Sequence, residues 1–415
     1  MNGNQNMVQK PKDEENYIDD EEEDIDEEAE EASTSTSSKG ISLFGGSGND
    51  AKQKMISLML IIVGITIIIL IILFIASLFT KKSYTYTDVE NIMKKAAISY
   101  FADYPEYLPT QDGSIVEVDA VNLISAGKMK DLSEYLGNET ACSGAVQVQK
   151  AGSDYLYTPY LNCGESYLTQ ELYKKVVGET VTSGDGLYVS GNAYIFRGEN
   201  VDNYVELDNS LWRIVKVNSD GSMALILAKG ITYTQPWDDR YNEEQRFEAG
   251  INQYSVSRVK DYLDKVYNNP SKEDGEDILS DKDKSRLIPY SVCIGKRSVN
   301  SEGKNNSEEC MQTLKGQYLG LLTLSDYLFA SLDNNCKSVE TRSCKNYNYL
   351  VIRDEWWLAT ANKDDTYSVY KISQSGSAKK ETASTYSTVR PVIYLNSRVL
   401  LKSGEGTKEK PYKVK

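Results

Sequence analysis

The sequence predicts an α+β protein carried on a single transmembrane helix. Three observations predict it: an uncharged run of 26 residues, Met55–Thr80; period-two apolar alternation through much of the chain after residue 186; and six cysteines that all follow the apolar run. At about 1.5 Å per residue such a helix exceeds a hydrocarbon core of ~30 Å, so it spans with some tilt. A secretory signal would begin within the first residues and carry a shorter apolar core, whereas this run lies behind 54 polar ones. A buried core helix would show a polar face somewhere along its turns, and none is present.

Residues 1–54 form an acidic head, with fourteen carboxylates and no base between Asp13 and Glu31, and they hold most of the net charge of −15. A like-charge block followed by Ser- and Gly-rich stretches buries too little apolar surface to offset the entropy of ordering, so the head is expected to be disordered. Its sign argues against nucleic acid and against anionic lipid as partners. The chain has no histidine. That removes Ser-His and Cys-His nucleophile pairs, the usual proton shuttle at neutral pH and the commonest zinc ligand. No glycine-rich phosphate loop, dinucleotide fingerprint or basic stripe is present. No catalytic residue and no cofactor are expected, and the sequence leaves open whether a metal binds.

Cys142, Cys163, Cys293, Cys310, Cys336 and Cys344 are even in number and confined to one side of the apolar run, which reads as three disulfides in an oxidising compartment. Six cysteines allow fifteen connectivities. The local one, 142–163, 293–310 and 336–344, is preferred because each pair brackets a polar, turn-rich loop. Lysines near the two ends of the span lean slightly against the charge rule for this orientation. Long domains cross with little regard to so small a difference, so the cysteines decide: the head is placed in the cytoplasm and the body outside the plasma membrane.

Beyond the span, Val89, Ile92, Met93, Ala96, Ala97, Tyr100 and Phe101 recur at helical spacing, which predicts that the membrane helix continues outward as an amphipathic one until Pro105 and Pro109. A short helix is expected after Asp119, capped by that carboxylate. The alternating runs Ala145–Lys150 and Tyr155–Leu161 read as a hairpin closed at its base by Cys142 and Cys163. After a linker at 166–183, Gly186–Arg197, Tyr204–Leu207, Leu211–Asn218 and Ser222–Leu227 are expected as strands, with a turn at Ser219-Asp220-Gly221. A helix is expected over Ser255–Tyr267, and later strands over Trp356–Ala361, Tyr367–Ser373 and Val389–Asn396.

A long apolar helix followed by a small sheet and a disulfide loop resembles the type IV pilin and pseudopilin plan, over about residues 55–165. No Gly-Phe cleavage site precedes the span, and no acidic residue stands just inside it, so only a pilin-like membrane-proximal module over 81–165 is carried forward. The ordered series NYVELDNSLWRIVKVNSDGSMALI (203–226), WDDRYN (237–242), LLTLSDYLFAS (321–331), WWLAT (356–360), VRPVIYLN (389–396) and GEGTKEKPY (404–412) resembles a surface-protein family of Firmicutes-like and related gut bacteria. That resemblance implies a C-type-lectin-like fold over 184–415, the fold also used by formylglycine-generating enzymes, and brings no activity with it.

Candidate ligand-binding residues fall in two places. Trp237, Asp238, Asp239, Arg240 and Tyr241 make the densest polar-aromatic cluster, with hard oxygen ligands of the kind calcium takes and a ring that could stack on a sugar. The plain alternative is an Asp-Arg pair beside a core tryptophan. Trp357 and Arg390 are the second place. Adjacent tryptophans on a strand face opposite sides, so of Trp356 and Trp357 one is expected in the core and the other exposed or under a loop. Arg390 is expected either to pair with Asp354 or Glu355 or to bind an anion. Cys336 and Cys344 would serve an oxidase only as a reactive pair; a structural bridge is expected.

The expected function is therefore that of a single-pass cell-surface protein, not an enzyme, which contacts membrane lipid through 55–80 and binds an extracellular glycan or protein. A subunit of a pilus- or secretion-like envelope assembly and an oxidase on a formylglycine-generating-enzyme-like fold are the alternatives.

Overall fold

A computed structural model describes residues 48–79, 83–137, 141–208, 210–339 and 341–415. Almost all of the acidic head lies outside the described residues. The chain divides into two compact units, 1–82 and 83–415.

The first unit contains α1, Gly48–Phe79, whose stretch Lys52–Ile72 is long and apolar enough to cross a membrane. That stretch is exposed along nearly its whole length. Thr66 spends its hydroxyl on the carbonyls of Ile62 and Val63 one turn back, at 3.0 and 2.8 Å, so the hydroxyl is satisfied within the helix.

The second unit begins with α2, Tyr86–Asp103. The expected continuation of the membrane helix is not what forms: α2 starts afresh at a capping box, with Thr85 and Asp88 satisfying each other's backbone N–H groups. Its apolar stripe, Val89, Met93, Ala97 and Phe101, packs on an antiparallel sheet of β1 (Ile115–Asp119), β2 (Ser143–Ala151) and β3 (Asp154–Asn162). Inward-facing Val146, Val148 and Leu161 complete a small core. A helix over Ala120–Ser125 follows Asp119 as predicted, although the Asp119 side chain makes no capping hydrogen bond. Cys142–Cys163 joins the open ends of the β2–β3 hairpin.

The distal part is β-rich and has its own, larger core. The run Gly186–Arg197 is a hairpin and not one strand: β4 (Gly186–Ser190) turns at Gly191, in the left-handed region at φ +62°, into β5 (Ala193–Arg197). Next come β6 (Tyr204–Leu207), β7 (Ser210–Val217) and β8 (Met223–Leu227). β7 pairs with β5 and β6 on one side and β8 on the other; strand Val392–Leu395 extends the sheet beyond β8, and Tyr412–Val414 runs parallel to β6. A second sheet is built on Trp356–Asn362, which is buried along its whole length. Two further bridges, Cys293–Cys310 and Cys336–Cys344, close loops of the distal part, so all three follow the local connectivity.

The segment 166–183, expected as a linker, contains a helix over Leu172–Val177 whose Leu172 and Val176 are buried in the distal core. The junction is polar and closed. Glu90 of α2 is buried and accepts from Tyr167 Oη at 2.8 Å, from Thr169 Oγ1, and from Lys415 Nζ at 2.6 and 2.7 Å. Tyr167 stacks on Tyr86 with ring centres 4.4 Å apart, and Lys415 also donates to Tyr167 Oη at 2.8 Å. Removing one partner of such a pair leaves the other desolvated. Glu90→Leu and Lys415→Ala are each expected to cost about 2–3 kcal/mol. The double variant should lose less than the sum, which urea unfolding in a double-mutant cycle measures.

Candidate functional site

The predicted cluster at 237–241 is split by the fold into a buried support and an exposed loop. Strand Gln235–Pro236, paired with Tyr386–Ser387, delivers the chain to Trp237. Trp237 is fully buried, donates its indole N–H to Leu358 O at 3.0 Å and meets Tyr254 edge-on with ring centres 5.8 Å apart. It is a core residue and not a sugar platform. Asp238 is buried too. Its carboxylate accepts from Arg240 Nε at 3.0 Å and Nη2 at 2.6 Å, and from the backbone N–H groups of Ile251 at 2.9 Å and Arg258 at 3.3 Å. All its acceptor capacity points inward, so it is no calcium ligand here. Gly250, at φ +85°, lies so close that a Cβ would sit 2.1 Å from Asp238 O. Only glycine lets the two strands of the loop approach this way.

Asn242 continues the support. Its amide donates to Gly250 O at 2.8 Å, and its Oδ1 accepts from the N–H groups of Glu244 and Gln245, both at 3.1 Å. Its backbone bonds to Phe247 O at 2.9 Å, closing the 242–247 turn, with Arg246 in the left-handed region at φ +58°. What this frame presents outward is Tyr241, 48% exposed, and Phe247, 51% exposed. Asp239 is exposed beside them and meets Arg258 at 3.3 Å; Arg240 is partly exposed and locked to Asp238. Tyr386, 64% exposed, is carried by the segment whose Ser384 N–H bonds to Ala249 O. Sequence reasoning missed Phe247 and Tyr386. Nothing in their local pattern marks them, because Phe247 is turned outward by the turn that Asn242 closes and Tyr386 by the pairing of its strand with Gln235–Pro236.

Trp357 and Arg390 also leave the candidate set. Both tryptophans of the pair are buried, because the strand lies between two layers; Trp357 donates to Gln235 O at 2.8 Å under the incoming loop, and Trp356 stacks beneath Arg390 at 4.7 Å. Arg390 pairs with neither Asp354 nor Glu355. Its guanidinium donates to the carbonyls of Leu227 at 3.1 Å, Leu350 at 3.0 Å and Ala228 at 3.3 Å, and Glu355 goes to Lys371 at 2.6 Å instead. Burial, with Arg213 nearby, lowers the Arg390 pKa to about 9. Three carbonyls that would otherwise be orphaned are satisfied by one side chain, which makes Arg390 a structural clamp.

The Cys336–Cys344 bridge is buried, so the structure shows a structural disulfide at that loop. Among the described residues no group of three or more Asp, Glu, Cys or His side chains comes together as a metal site. Two clefts, of about 490 and 460 Å³, are bordered by 119–144 and by 208–284; the first is lined in part by the bridged Cys142, and neither contains a predicted ligand-binding residue. Comparison with protein-family models, with curated proteins and with solved structures gave no match.

Proposed function

We propose that the chain is a single-pass membrane protein with its 83–415 body outside the plasma membrane, and that the body binds an extracellular glycan or protein without catalysing a reaction. The observation that carries this reading is the 239–247 loop. Two exposed aromatic rings are held on a loop whose backbone N–H groups at 244, 245 and 251 are taken up by a buried Asp238–Asn242 frame. Aromatic side chains with two rotatable bonds, fixed in advance, contribute contact area at little entropic cost and stack on sugar faces or fill protein pockets. Three disulfides in the body and an apolar helix before it support the orientation. The β-rich distal part with its Trp-rich inner strand fits the C-type-lectin-like reading of 184–415, and α2 on its three-stranded sheet fits the pilin-like reading of the module before it.

The test pairs topology with binding. A membrane-impermeant protease on intact cells should remove the body and spare the acidic head; protection of the body reverses the orientation. Tyr241→Ala with Phe247→Ala should abolish binding to a glycan array or to the partner surface while moving the melting temperature by no more than a degree or two. Unchanged binding by a folded double variant overturns the assignment of this loop, and filament co-purification without ligand binding favours the envelope-assembly alternative.

A further inference from the structure

Arg197 and Lys304, far apart in sequence, aim at one atom. Arg197 Nη2 donates to Ser331 O at 3.2 Å and its Nε to Phe329 O at 3.2 Å; Lys304 Nζ donates to the same Ser331 O at 3.1 Å. Two cations therefore lie within two hydrogen-bond lengths of each other, and among the described residues neither forms an ion pair. A guanidinium has five N–H donors and an ammonium three, so most of their donors are left over. Both side chains are half-buried and reachable from solvent.

The pair is built into place. Gly198, next to Arg197 at the end of β5, bonds to Ala330 O at 2.9 Å. On the other side, Gly303 N–H is held by Lys337 O at 2.7 Å, Gly303 O accepts from buried Arg297, and Asn305 O accepts from Ser325 Oγ at 2.8 Å. Both neighbours of Lys304 are thus pinned by a buried cluster of Arg297, Ser325 and Glu309, inside the loop that Cys293–Cys310 closes. Asp333, the carboxylate whose charge acts on Lys304, is occupied by Asn346 Nδ2 and by the Asn335 N–H, both at 2.8 Å.

Like charges fixed side by side with spare donors form a receptor for a negative group, since an anion both satisfies the donors and relieves the repulsion. We propose that Arg197 and Lys304 form a binding site for a single oxyanion, a sulfate or a carboxylate group. Burial, and then the charge of Arg197, lower the Lys304 pKa to about 8, with Asp333 pulling weakly the other way. The protonated form binds the anion, so affinity is full below that value and falls about tenfold per pH unit above it.

The experiment follows acetylation of individual lysines of the full-length chain in detergent, by peptide mass spectrometry, at constant ionic strength between pH 7 and 9. Sulfate or glucuronate should slow acetylation of Lys304 severalfold, while chloride and neutral glucose leave it unchanged and exposed Lys408 reacts alike in all four. Protection by sulfate alone assigns a sulfate ligand, and by glucuronate alone a carboxylate. Arg197→Gln should remove the protection, and Asp333→Asn should strengthen it, which a merely structural role for these residues would not do. The proposal is overturned if neither anion slows Lys304, or if both slow every lysine equally. Tyr241 and Phe247 are untouched by this experiment, so the site stands or falls separately from the loop reading.

Discussion

Reduction of all three disulfides is expected to remove on the order of 6–12 kcal/mol from the 83–415 body, at about 2–4 kcal/mol for each bridge. A domain of ordinary stability has only ~5–15 kcal/mol in total, so the reduced body should be largely unfolded at 37 °C. The loops span 21, 17 and 8 residues, so closing Cys142–Cys163 restricts the unfolded chain most and Cys336–Cys344 least. Access matters as well as energy. Cys163, Cys336 and Cys344 are buried, so a thiol reductant should act slowly on the native protein and quickly in urea. Thiol titration with and without denaturant checks both points. Six reactive thiols in the native protein would overturn the bridging pattern and the oxidising location inferred from it.

Trp237→Ala is expected to cost about 3–5 kcal/mol, because it removes a fully buried indole, its bond to Leu358 O and its contact with Tyr254. For a body of this size the melting temperature should drop by about 4–7 °C. The loss should also loosen the 239–247 loop, whose base rests on Trp237, so under the proposed role of that loop binding weakens together with stability. Tyr241→Ala separates the two effects, since an exposed ring contributes little to folding. Calorimetry on both variants decides between a structural tryptophan and a ligand platform. A folded Trp237→Ala protein with an unchanged melting temperature would return Trp237 to the binding surface.

Much of the architecture was legible because it follows from local rules. The stripe from Val89 to Phe101 places α2, and the turn at Ser219-Asp220-Gly221 forms where it is read, with Gly221 at φ +80° and the Asp220 carboxylate accepting the Ser222 N–H at 2.9 Å. The local disulfides follow from loop chemistry. Boundaries failed where competing local signals meet. Gly191-Asn192 inside an alternating run marks a hairpin turn, and Thr85 with Asp88 marks a helix start that the apolar periodicity on either side conceals.

The site was half legible. Asp-Asp-Arg beside a tryptophan announces a special loop, and Asp238 does organise one. Which residues of that loop face outward depends on the pairing of 242 with 247 and on the docking of 249 against 384, contacts that composition does not encode. Likewise, a buried arginine such as Arg390 looks like an anion receptor in one dimension. Three backbone carbonyls separated from it by 40 to 163 residues turn it into a clamp.

The Glu90–Lys415 pair also decides how the body would carry a pulling force. Lys415 follows directly on the strand Tyr412–Val414, which lies parallel to β6 in the central sheet, while Glu90 sits in the second turn of α2. A load on the central sheet therefore reaches the α2 module along the chain through 166–183, across this ion pair, and through Arg398 Nη1, which donates to Gln149 Oε1 of β2. A load shared by several anchors must break them together before the parts separate, so a junction of this construction yields late and abruptly where a single flexible connection would stretch.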